Sequence, residues 1–173
     1  MAQNHFEHFG LPISFQLDLD ALRKAFLRIT RTSHPDFFAG DEKEYDAALV
    51  RSSYNNLANK VLYDERMRIA YVLELKGVGV GQDDKLDPMF LMEMMDWNDR
   101  IEEVEQSTDG ADTKALQRDF NDMMLEFTQE LHEAMKRCDE AENEAALLEI
   151  KNIYLKQKYL LRLNESINTF APH

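Results

Sequence analysis

His34-Pro35-Asp36 places an imidazole and a carboxylate on either side of a proline. Such a pair could serve as a general base and its orienting group. Pro35 is expected to make the two side chains diverge, however. The chain also shows no Ser or Cys in a nucleophile elbow and no glycine-rich phosphate loop. No catalysis is therefore expected, and the tripeptide reads better as an exposed donor and acceptor offered to a partner. His5 and His8, at i and i+3, could begin a metal site, but no third ligand is evident; a solvent-facing pair is expected. The only cysteine, Cys138, excludes an internal disulfide and any cysteine-only metal cage.

These residues need elements to hold them, and the spacing predicts helices throughout. A short helix around Phe6–Phe9 stops at Gly10-Leu11-Pro12, and a second runs from about Asp18 to Ser33 with Leu19, Leu22, Phe26 and Ile29 on one face. Pro35 forces His34 out of helical geometry, so that helix must end before the tripeptide. Further helices are expected from about Glu42 to Leu62 and from Glu65 to Lys76. Gly77, Gly79 and Gly81 then mark a linker over 77–87. Beyond Pro88 the periodicity predicts three long helices, about 88–105, 112–138 and 142–168, with turns at Ser107–Gly110 and Asp139–Glu140. Leu116, Phe120, Met123, Phe127, Leu131, Ala134 and Cys138 keep a near-heptad stripe along the middle one, and Ile150, Ile153, Tyr154, Leu160, Leu161 and Ile167 form a broader face on the last. The expected fold class is all-α: residues 1–76, a linker over 77–87, and a three-helix bundle over 88–173.

Charge narrows the choice of partners. The chain has 33 acidic and 20 basic residues, a formal net charge of −13, which argues against nucleic acid and anionic membranes. No run approaches 18 apolar residues, and the first ten residues resemble neither a signal nor a transit peptide, so a soluble cytoplasmic protein is expected. Against that acidic background, Ala21 to Ser33 carries four cations and no acid. Lys24, Arg28 and Arg31 share a helix face, with Arg23 beside them. This local inversion suggests docking to an acidic partner.

The helix after Pro88 has two faces. At 100° per residue, Phe90, Met94, Trp97, Ile101 and Val104 fall within a stripe of about 80°, enough for core packing. Leu91, Met92 and Met95 fall on the other side, with Asp96, Asp99 and Glu103 further along it. An apolar cluster rimmed by acids marks a partner site, and methionine suits an adaptable one.

A basic helix, a His-Pro-Asp turn and a returning helix resemble the J-domain pattern. That resemblance implies that His34, Pro35 and Asp36 contact an HscA/DnaK-type ATPase chaperone, supported electrostatically by Lys24, Arg28 and Arg31, and accelerate its ATP hydrolysis. Phe9-Gly10-Leu11-Pro12, the Phe38-Ala39 that follows the tripeptide, Arg68 with Tyr71-Val72-Leu73, and Phe90-Leu91-Met92-Glu93 extend the likeness. Together they resemble the HscB family of iron–sulfur cluster co-chaperones over nearly the whole chain. The resemblance implies a bacterial cytoplasmic J-domain co-chaperone, not an enzyme, whose bundle binds the scaffold protein IscU. The implied scaffold-binding residues are Leu91, Met92, Met95, Asp96, Asp99, Glu103 and Tyr154. Met95 and Tyr154 stand where the family pattern has leucine and phenylalanine, and Asp96 and Asp99 where it has glutamates. Some relatives carry N-terminal cysteines for zinc; this chain has none, so no metal or other cofactor is expected. The alternatives are a general J-domain co-chaperone for another client and an acidic helical scaffold protein.

Overall fold

The computed structural model describes residues 4–81, 83–107 and 110–170, which form helices and turns without a strand. The chain divides between Gly79 and Val80 into two compact units.

The first unit contains α1 (His5–Phe9), α2 (Leu19–Ser33), a 3-10 turn over Pro35–Phe38, α3 (Glu42–Tyr63) and α4 (Glu65–Leu75). Asn or Asp caps every one of the four α-helices: Asn4, Asp18, Asp41 and Asp64 each accept backbone N–H groups of the first turn. Each such cap contributes about 1 kcal/mol by satisfying donors the helix cannot. At the other end, α4 stops where Gly77 takes a positive φ of 79°. Val78 N–H then donates to Leu73 C=O and Gly77 N–H to Glu74 C=O, both at 3.0 Å. This is a Schellman closure, which a side chain at Gly77 would strain.

α2 and α3 form a helical hairpin, against which α1 packs, with Phe6, Phe9, Leu22, Ala48, Ala58 and Leu62 in the interior. Of the face expected on α2, Leu22 is buried, Phe26 and Ile29 are half-buried and Leu19 lies outside; Ala25 is buried instead. Arg68, also buried, ties the unit together. Its Nε donates to Phe15 C=O at 2.9 Å, and its Nη1 donates to the carbonyls of Leu62 and Tyr63, with the Tyr63 bond at 3.4 Å. Those last two carbonyls end α3 and have no helical partner. Burying the guanidinium is tolerable because its donors are used.

The histidine pair is not solvent-facing as its sequence suggested. The His5 Nδ1 is 3.2 Å from Tyr54 Oη and its backbone N–H donates to Tyr71 Oη; His8 Nε2 is 3.0 Å from Asn55 Oδ1. Buried Asn55 in turn donates to Thr30 Oγ1 at 3.1 Å, so α1, α2 and α3 share one polar chain. Spacing within α1 alone could not reveal partners that come from α3 and α4.

The second unit is a three-helix bundle of α5 (Pro88–Gln106), α6 (Gly110–Glu140) and α7 (Glu144–Phe170). Phe90, Met94 and Ile101 of α5 meet Leu116 and Phe120 of α6 and Leu160 and Ile167 of α7. The heptad stripe of α6 is inward as expected, with Met123 and Phe127 half-buried and the rest buried; Met135 and Thr113 are buried beside it. The turn expected at Asp139–Glu140 comes later. Those residues finish α6, and Asn143 caps α7 by accepting the Ala146 N–H at 2.9 Å. Thr108 and Asp109 of the other expected turn lie outside the described residues, as do Gln82 of the expected linker and residues 171–173.

The segment expected to be a linker divides in two. Asp84 forms a 2.7 Å ion pair with Lys151 and accepts Gly81 N–H, also at 2.7 Å, while Leu86 packs against the bundle core. The bond from Lys151, and next that from Gly81, holds the Asp84 carboxyl below its ordinary pKa. Glycine content marked the whole stretch as loose, but an acid and a leucine fasten its second half to the bundle.

Candidate functional site

The first candidate site is the tip of the α2–α3 hairpin. Pro35 is buried and seats the 3-10 turn, while His34 and Asp36 on either side of it are exposed. Pro35 therefore shapes the tip from beneath and is not among its exposed residues. The side chains of His34 and Asp36 converge, contrary to the divergence expected. His34 caps the turn, its Nδ1 accepting the Asp36 N–H at 3.3 Å, and that nitrogen lies 3.4 Å from Asp36 Oδ2. The backbone bond makes Nδ1 the acceptor and leaves Nε2 as the donor of the neutral ring. A protonated ring would instead donate from Nδ1 to the carboxylate. Pro35 begins the 3-10 turn, and the cap that His34 makes on the Asp36 N–H is what brings the two side chains together.

Around the tip, Arg23, Lys24, Arg28 and Arg31 are all exposed along α2. Phe37 is 70 % exposed, its ring edge-on to His34 with centroids 6.1 Å apart. Phe38 turns the other way and sits under Arg51, whose guanidinium carbon is 5.5 Å from the ring centroid.

The second candidate site is the outer face of α5. The core side is pinned by aromatic contacts. Phe90 meets Phe127 and Tyr159 edge-on, Lys156 Nζ lies 5.4 Å from its centroid, and Trp97 meets Phe120 edge-on. Those contacts fix the rotation of the helix, so the angular prediction holds. Leu91, Met92 and Met95 are 39, 63 and 66 % exposed, and Asp96, Asp99 and Glu103 are exposed beside them. Met89, also exposed, lies one turn before Met92 and was missed by the sequence reading, although the same angles place it on the rim of this face. Tyr154 departs from expectation: only 9 % of it is accessible, so it belongs to the wall of the bundle and not to an exposed cluster. Its neighbours Ile150 and Ile153 are buried too, which the broad apolar face of α7 already implied.

Neither site resembles a catalytic pocket. His34 and Asp36 stand in the open, and Cys138 is buried in the second unit. Among the described residues no group of three or more His, Cys, Asp or Glu could hold a metal ion, and no helix is long and apolar enough to cross a membrane.

Comparison with known proteins agrees with both units. Residues 86–168 match the family model described as the HSCB C-terminal oligomerisation domain. The co-chaperone protein HscB homolog of Vibrio cholerae serotype O1 is 36 % identical over 128 residues, 68 % of this chain and 75 % of that protein. The homolog from Shewanella amazonensis is 29 % identical across 94 % of this chain and 96 % of its own length. Among solved structures, the chaperone HscB from Vibrio cholerae superposes with a TM-score of 0.72 at 29 % identity, covering 96 % of each chain. The human co-chaperone protein HscB superposes with a TM-score of 0.75 at 26 % identity, covering 97 % of this chain and 82 % of that one. The tip of the first unit and the bundle of the second thus belong to one architecture, an all-α J-domain followed by a helical bundle, and the chain is a member of the HscB family of co-chaperones.

Proposed function

We propose that this co-chaperone binds an IscU-type iron–sulfur scaffold protein on its bundle, delivers it to an HscA/DnaK-type ATPase, and stimulates that ATPase through the hairpin tip. Cluster assembly and transfer in the bacterial cytoplasm is the process it serves. The observation that carries the proposal is the outer face of α5, where Leu91, Met92 and Met95 are exposed beside three acids although the same helix fills a core with Phe90, Met94 and Ile101. A few central apolar residues within a polar rim are what a specific protein interface needs. Asp96, Asp99 and Glu103 select a basic partner surface. Tyr154, only 9 % accessible on α7, contributes from within the bundle rather than by first contact. On the other unit, His34 and Asp36 meet the ATPase, Pro35 holds them in register, and Lys24, Arg28 and Arg31 steer the approach. The protein performs no reaction of its own; ATP is hydrolysed in the partner.

The test is steady-state ATP hydrolysis by a purified HscA-type ATPase with the scaffold and this protein added singly and together. Stimulation by this protein, raised further by the scaffold, is expected. No stimulation would defeat the J-domain role, and stimulation indifferent to the scaffold would defeat the choice of client.

A further inference from the structure

The hairpin tip carries an apolar component that its charges conceal. Phe37 is 70 % exposed, and the fold does not require it to be there. The 3-10 turn is already seated by buried Pro35, capped by His34, and closed by Phe38, whose ring lies beneath Arg51 while its C=O accepts the Asp41 N–H at 3.0 Å. The His34 ring stands edge-on to Phe37, so the exposed imidazole and the exposed phenyl make one continuous surface.

Leu27 is the second such residue, 41 % exposed in the middle of α2. At 100° per residue it falls between Arg23 and Arg31, with Lys24 and Arg28 just beyond. It precedes His34 by seven residues, or two turns, which sets both on the same side of the helix. A single exposed leucine means little. Leu27 within the cationic face of α2 and Phe37 against His34, the residue that marks the site, together form the pattern of apolar centres beside a charged rim.

We infer that Phe37 and Leu27 are apolar anchors for the ATPase partner, so that its docking surface must offer an apolar recess within an acidic rim. The inference rests on the proposed J-domain role and adds a determinant of partner choice to it. Charge governs encounter and is screened by salt; apolar burial governs residence and is not. An ATPase with an acidic groove but no recess would be approached quickly and released quickly.

The experiment measures Kd for a purified HscA-type ATPase at low and high salt, with His34→Gln carried alongside as a stimulation control. Phe37→Ala should weaken binding roughly tenfold at both salt concentrations, and Leu27→Ala roughly threefold. Both variants should melt like wild type, because neither residue is buried. Phe37→Leu should retain most of the affinity, since it keeps apolar bulk. If His34→Gln loses stimulation while Phe37→Ala binds within about twofold of wild type, the anchor is refuted and the J-domain role stands. If Phe37→Leu is as weak as Phe37→Ala, the ring acts by positioning His34, and the anchor is again refuted. If His34→Gln stimulates normally, the J-domain role itself fails and the anchor with it.

Discussion

α2 and α5 are both two-faced helices that bury one stripe, yet they present opposite surfaces. α2 turns Arg23, Lys24, Arg28 and Arg31 outward near a solvent-exposed His34; α5 turns out Leu91, Met92 and Met95, then Asp96, Asp99 and Glu103. A cationic face on a chain of net charge −13 accelerates encounter with an acidic surface but holds weakly once salt screens it. An apolar face rimmed by acids gains little at a distance and much on contact, because affinity differences between related complexes reside mostly in dissociation. The two units are therefore built for different kinds of binding. In the proposed function, the first would meet the ATPase mainly through charge, with Phe37 and Leu27 as its apolar anchors, and the second would hold the client mainly through apolar contact.

The largest effects are expected within α5. Phe90→Ala should cost about 3–5 kcal/mol of bundle stability, as removal of a packed aromatic does, and thermal unfolding measures it. The triple variant Leu91→Ala/Met92→Ala/Met95→Ala should keep a near wild-type melt yet lose roughly 100-fold in scaffold affinity by titration calorimetry. An early melt of the triple variant, or normal scaffold binding by it, would mean that the faces are assigned the wrong way round.

On the other unit, His34→Gln should lower ATPase stimulation by at least about tenfold. The loss of a cap on a short 3-10 turn should cost the fold no more than about 1 kcal/mol. Circular dichroism together with a coupled ATPase assay separates the two effects. A smaller change is expected from Arg28→Glu, roughly several-fold in association rate at low salt and fading toward none at high salt. A dissociation rate that moves more than the association rate would show that Arg28 is an anchor and not a steering charge.

The smallest effect concerns His5, held between Tyr54 of α3 and Tyr71 of α4. Burial, and then the neighbouring His8, lower the pKa of His5 below 6.5 in the folded protein. A lowered folded pKa means that the unfolded chain takes the proton first. The contribution of His5 to stability is thus complete above pH 6.5 and is lost as the pH falls through 6.5 toward the folded value. Melting temperatures of wild type and His5→Gln at pH 7.5 and 5.5 test this. The gap between the two proteins should narrow or invert at the lower pH, and a constant gap would show that His5 does not couple folding to protonation.

Features that depend on near neighbours in the chain were legible in the sequence. The approximate helix spans followed from apolar periodicity, helix stops from Gly10 and Gly77, and the two faces of α5 from 100° per residue, because turn signals and periodicity act within a few residues. The outward trio Leu91, Met92 and Met95 was legible for that reason, as was the cationic face of α2. Contacts that join distant segments came from packing. It set His5 and His8 against Tyr54, Tyr71 and Asn55, aimed Arg68 at Phe15, fastened Asp84 to Lys151, and buried Tyr154. It also brought His34 onto Asp36, since a proline between two residues predicts a bend but not its direction. A side chain's partners are chosen by what packing brings within about 3 Å of it, and spacing along one helix carries no record of its neighbours.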